Sequence, residues 1–235
     1  MVFKRLLQAM GVGGPSVETV LANADCRPGG YLDGRVQVIG GESAVDVEYV
    51  AVGLVTHDEV EFHRQRLTGS FKLDAGARHQ IDFRFDVPWE TPITEVYGQH
   101  LHGMTMGLTT ELEVAREVVS SDLDPVAVHP VPAQERILDA LLRLGFRFSR
   151  ADVEPGRVHG VAQELPFHQE IEFHPPAAYA SGIDRIELTF VATPRVLQVV
   201  LEMDQRAGRF DVDYATVEQI DWAAQLDGWL RRRGT

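Results

Sequence analysis

Polar and apolar residues alternate most cleanly over residues 81–87. Ile81, Phe83, Phe85 and Val87 face one way, and Asp82, Arg84 and Asp86 the other. A period of two marks a strand with one buried and one wet face. Pro88 ends it, because proline gives no N–H to a ladder, and Pro92 forces a further extended step. The same alternation predicts strands at residues 16–22, 31–39 and 45–55. The last of these is wet at its Asp46 end and covered on both faces at the other. Strands at 66–73 and 80–87 are expected to pair across the Asp74-Ala75-Gly76 turn, and another strand is expected at 108–115. The second half predicts strands at 146–153, 161–165, 168–174, 183–193, 196–203 and 209–214.

Three segments follow a helical period instead. Phe3, Leu6, Leu7 and Met10 place one apolar stripe on a short helix that Gly11, Gly13 and Gly14 would stop. This stripe either packs on a sheet or serves as a surface anchor or partner helix. Pro132 suits the first turn of a second helix, with Ile137, Leu138, Leu141, Leu142 and Leu144 as its apolar face and Gly145 at its end. A third helix is expected over residues 216–231. Thr216 and Gln219 stand at capping-box spacing there, and Arg231, Arg232 and Arg233 sit where cations favour a helix end. Trp222 and Trp229 lie seven residues apart, nearly two turns, and so share a face. Either the two indoles pack on a sheet, or they form aromatic anchors for a protein partner.

These patterns give an all-β fold class with short helices. The 235 residues suffice for one large β domain or for two of about 100–120 residues each. The stiff run His129-Pro130-Val131-Pro132 divides them into residues 1–130 and 131–235. A Pro-Gly turn comes early in each half, at Pro28-Gly29 and Pro155-Gly156, which suits two similar modules.

Charge and cysteine content narrow the possibilities. A net charge of -13 disfavours nucleic acid and anionic lipid as main partners. Cys26 is the only cysteine, so no internal disulfide forms, which fits a reducing cytoplasm. No apolar run is long enough to span a bilayer. Lys4 and Arg5 stand where a secretory signal needs apolar residues.

Candidate chemistry is sparse. His100 and His102 are the best metal pair, since i and i+2 on a strand share a face, and Glu111 could add a carboxylate. Satisfied or surface histidines are the plainer reading. Glu111 and Glu113 also share a strand face, where solvated charge is the plainer reading. Cys26 has no legible base beside it, and Gly11–Gly14 lacks the Lys-Ser/Thr of a phosphate loop. No catalytic set and no cofactor is expected.

Several ordered stretches carry a family resemblance. They are MVFKRLLQAMGVGGPSVETVL at the start, PGGYLDGRVQVIGG at 28–41, FDVPWETPIT at 85–94, DLDPVAVHP at 122–130, ERILDALLRLGFRF at 135–148 and LPFHQEIEFHP at 165–175. Together they resemble the sporulation-control proteins of the stage-zero sporulation M type, an arrestin-like group. The resemblance covers nearly the whole chain except the helix after Tyr214. It implies two arrestin-like β-sandwiches side by side. It also implies a non-enzymatic, cytoplasmic regulatory or scaffold protein that works by binding other proteins. The alternative from the residues is a metal- or small-molecule-binding protein, or an enzyme, that uses His100 and His102.

Overall fold

The structure is a computed structural model that describes residues 13–56, 60–121, 123–203 and 206–233. The expected stripe Phe3, Leu6, Leu7 and Met10 lies outside these residues, as do the side chains of Arg232 and Arg233.

In chain order the first half runs β1 (Ser16–Leu21), β2 (Asp25–Cys26), β3 (Tyr31–Ile39), β4 (Val45–Thr56), β5 (Glu61–Arg66), β6 (Phe71–Leu73), β7 (Arg78–Asp86), β8 (Glu95–Val96) and β9 (Gln99–His100). Then come β10 (Met106–Val114), β11 (Glu117–Ser120), β12 (Asp124–Pro125), β13 (Ala127–Val128) and α1 (Pro132–Arg143). The rest is β14 (Arg147–Pro155), β15 (Phe167–His174), β16 (Ile186–Ala192), β17 (Val196–Met203), β18 (Arg206–Asp213) and α2 (Trp222–Arg233). The protein is therefore mostly β, as the alternation predicts. The residues divide into two compact units. One holds those up to Cys26, Tyr31–Val87 and Thr105–Ala127; the other holds Arg27–Gly30, Pro88–Met104 and those from Val128 onward.

The first unit is a sandwich of two antiparallel sheets. One has the order β1-β3-β7; the other has the order β11-β10-β4-β5, with β6 and β12 added. The inward side chains Leu32, Val36, Phe85, Val50, Val52, Leu54, Leu108 and Leu112 are all but fully buried. Across this apolar layer the hydroxyls of Thr19 on β1 and Thr110 on β10 hydrogen-bond to each other. Burial along β4 turns continuous from Val50 to Thr56 after an open first half, as its sequence predicts.

One strand pairing differs from expectation. The Asp74-Ala75-Gly76 turn is present, with Ala77 N–H donating to Asp74 O at 3.0 Å. It does not close a hairpin, because β6 pairs with β4 while β7 pairs with β3. The chain changes sheets at this turn. Gly40 N–H donates to Ala77 O, and Gly76 N–H to Gly41 O, which ties the turn to the end of β3. A β-carbon on Gly40 would stand 2.2 Å from Asp74 O, so the close approach requires glycine.

The second unit carries a five-stranded antiparallel meander, β14-β15-β16-β17-β18. On one face Ile171, Phe173, Ile186, Leu188, Leu197, Val199 and Leu201 are buried. Helix α2 covers part of that face. Trp222 stacks on Phe210 with ring centroids 5.8 Å apart, and Trp229 lies against Gly208. Helix α1 begins at Pro132 as expected and stops before Gly145, whose φ of 88° lets the chain turn away.

Two local expectations fail here. Residues 161–165 form a loop, not a strand. The Gln163 side chain donates to the carbonyls of Gly156, Leu165 and Phe167 and accepts from Val158 N–H, taking the bonds a neighbouring strand would otherwise make. The last helix starts at Trp222, six residues later than expected. Val217–Gln219 is a single 3-10 turn and Ile220 is extended, at φ -106° and ψ 132°. Thr216 makes no capping hydrogen bond with its side chain. Asp221 caps instead, its carboxylate accepting Ala224 N–H at 3.2 Å.

Candidate interaction surface

The residues singled out for chemistry do not converge. His100 ends β9, whereas His102 lies in the turn that follows, and both are exposed. The shared strand face on which the metal expectation rests is therefore not formed. Glu111 lies in the first unit, hydrogen-bonded to Arg64 at 2.6 Å. No group of three or more His, Cys, Asp or Glu residues among those described could hold a metal ion. Cys26 is buried, and burial, with Asp25 adding to it, pushes its thiol up to about 12. That is the opposite of an activated nucleophile. Trp222 is 5% exposed and donates its indole N–H to Val217 O at 2.9 Å. With Trp229 it holds α2 on the sheet.

A different surface of the second unit stands out. Strands β8 and β9 form a hairpin closed by two residues, Tyr97 and Gly98, with φ of 53° and 71°. Positive φ at both positions is the I′ geometry that suits a two-residue hairpin. Glycine takes it freely, but a tyrosine there costs about 1 kcal/mol. The hairpin base is fixed by Leu101 N–H donating to Thr94 O and by Thr94 N–H donating to Val128 O, each at 2.8 Å. Val128 N–H in turn donates to Thr94 Oγ1.

This geometry lays Tyr97 on α1. Its hydroxyl donates to the Asp139 carboxylate, yet the residue is 55% exposed. Partial burial, followed by the Asp139 bond and charge, raises the phenol above its ordinary range. One turn further along the same helix face Leu142 is 43% exposed. Glu135 and Arg136 border the patch. Arg27 holds Glu135 at 3.0 Å, and Arg136 Nε donates to Glu218 at 3.0 Å. The result is an exposed aromatic on a fixed turn beside an exposed leucine, with a charged rim. Tyrosine is among the residues enriched at binding hot spots, and the leucine beside it adds apolar area. Sequence reasoning missed Tyr97 because a single Tyr-Gly pair between two-residue strands gives no periodic signal.

Comparison with known proteins settles the family. The family model described as SpoOM protein matches residues 3–207. The chain belongs to the SpoOM family. The sporulation-control protein spo0M of Bacillus subtilis strain 168 is 34% identical over 217 residues, covering 87% of this chain and 81% of the relative. A crystal structure of Spo0M from Bacillus subtilis superposes with a TM-score of 0.82 at 28% identity, covering 94% of this chain and all of that one. The SpoOM match thus includes the hairpin, α1 and most of the meander, and ends before α2. No described helix of this SpoOM-family chain is long and apolar enough to cross a membrane.

Proposed function

We propose that this SpoOM-family chain is a cytoplasmic, non-enzymatic regulatory protein of the sporulation-control type, built as a pair of arrestin-like modules, that acts by binding other proteins. The hairpin-helix patch centred on Tyr97 and Leu142 is its contact surface. The observation that carries this reading is Tyr97 itself. A half-exposed aromatic is held in left-handed backbone and pinned to α1 by Asp139. Such strain persists only where the surroundings over-determine it. A tyrosine fixed in this way meets a partner with little further loss of side-chain entropy.

A photo-crosslinking residue placed at Leu142, compared with one at exposed Asp184, tests the reading in cells. A discrete protein adduct is expected from the Leu142 position and not from the Asp184 position. Equal adducts at both, or none, would count against it. Metal analysis of tag-free protein separates this reading from the one built on His100 and His102. Stoichiometric metal lost on the double change His100→Ala, His102→Ala would favour an ion-binding role.

A further inference from the structure

The outer face of the β1-β3-β7 sheet, in the first unit, carries an ordered charge pattern that the contact patch does not use. Along β3 the outward residues are Tyr31, Asp33, Arg35 and Gln37. Along β7 they are Asp86, Arg84, Asp82 and Gln80, opposite them in register. Asp33 faces Arg84, bound at 2.8 Å and 3.0 Å, and Arg35 faces Asp82 at 2.9 Å. The sign therefore alternates along each strand and across the pair, a two-by-two checkerboard with zero net charge. All four side chains are open to solvent: Arg84 is 60% exposed, Asp33 42%, Arg35 49% and Asp82 69%. The Arg84 guanidinium also lies 3.9 Å over the ring of Tyr31, itself 53% exposed. On the other flank Val20 of β1 is 50% exposed. Val20 and the four charged residues line a trough of about 540 Å³.

We infer that this face docks on the same face of a second copy of the chain. Charge complementarity supports this pairing. Consider a two-fold axis running along the strands, midway between β3 and β7. Rotation about it lays β3 of one copy over β7 of the other. Asp33 then meets Arg84 of the second copy, and Arg35 meets Asp82, so both of these cations face an anion. A contact of this kind is isologous and closes as a dimer. The rest of the molecule opposes association, because its net charge of -13 makes copies repel. A patch whose four central charges match in this way is where two such chains approach at least cost. Tyr31 then lies over Asp86 of the second copy, while Val20 on β1 falls outside the overlap. The interaction is electrostatic and exposed, so salt weakens it.

Charge exchange in the full-length chain tests this directly, read by sedimentation equilibrium. Wild-type chain at about 100 µM is expected to populate dimer. Raising ionic strength from about 0.05 M to 0.5 M is expected to weaken dimer on the order of tenfold. Asp33→Arg alone and Arg84→Asp alone are each expected to be monomeric, since like charges then face each other across the axis. An equimolar mixture of the two is expected to form a heterodimer, because a doubly positive pair meets a doubly negative one. The parallel exchange at Arg35 and Asp82 gives an independent set should either variant melt early. Wild type that stays monomeric, single variants that dimerise like wild type, or a mixture that stays monomeric would each overturn the inference.

Discussion

The indole of Trp229 on α2 fills the space where a β-carbon on Gly208 of β18 would stand, 1.7 Å from its Cζ2. One absent methyl group thus sets how closely the last helix approaches the last strand. Gly208→Ala forces the ring out of its seat. The expected cost is about 1–3 kcal/mol, the usual penalty for overpacking, read as a lower melting temperature. Gly69→Ala, where a β-carbon meets nothing within 4 Å, is the control and is expected to be close to neutral.

Gln169 replaces a strand for Ile93. Its carbonyl accepts Ile93 N–H at 3.0 Å and its amide donates to Ile93 O at 2.7 Å, both in a buried setting. Gln169→Leu leaves two buried backbone groups unpaired. Each such group costs about 1–3 kcal/mol. Chemical denaturation is therefore expected to show a loss of about 2 kcal/mol or more. Gln169→Glu keeps the acceptor and loses the donor, so it is expected to remain damaging, because the Ile93 carbonyl goes unpaired.

Cys26 gives a pH signature. Burial lifts its thiol from 9.0 to about 12 in the folded chain, so the unfolded chain releases this proton first as pH rises. Fewer protons bound in the unfolded state means that unfolding becomes easier with rising pH. The Cys26 contribution to stability is therefore intact below pH 9 and lost between 9 and about 12. Cys26→Ala is expected to flatten the stability profile in that window. Alkylation of native protein at neutral pH is expected to be slow, and to become fast once the chain is unfolded.

The Tyr97–Asp139 bond is open to spectroscopy. Burial and the carboxylate both hold the phenol in its neutral form. Asp139→Ala removes the second cause. Ultraviolet titration is then expected to show one tyrosine ionising at lower pH than in wild type, with the other transitions unmoved. An unchanged titration curve would mean that Asp139 does not hold the ring.

Much of this fold was legible in hydrophobic alternation. The matching elements are those whose sequence faces one buried layer: Tyr31–Ile39, Val196–Met203 and α1 from Pro132. Alternation says nothing of which strand pairs with which, so the exchange of sheets after β6 was not legible. It depends on Gly40 allowing a close backbone approach. Side chains that imitate backbone misled in one place. Gln163 satisfies a loop that reads as a strand. At the C-terminus the Thr216-Gln219 spacing matched a capping box, but Asp221 four residues before Gln225 is the cap that forms. The candidate site was less legible than the fold. The two histidines were separated by where β9 ends, and the two tryptophans turned to the sheet. Tyr97 emerged only from the backbone angles.

The central claim is that the Tyr97–Leu142 patch is where other proteins bind. Its most direct test is quantitative co-purification of the chain from its own cells at native abundance, wild type against Tyr97→Ser, Leu142→Ser. The account predicts at least one protein retained by wild type and lost from the double variant, at matched melting temperature. An identical set of proteins on both, or none on wild type, would contradict it.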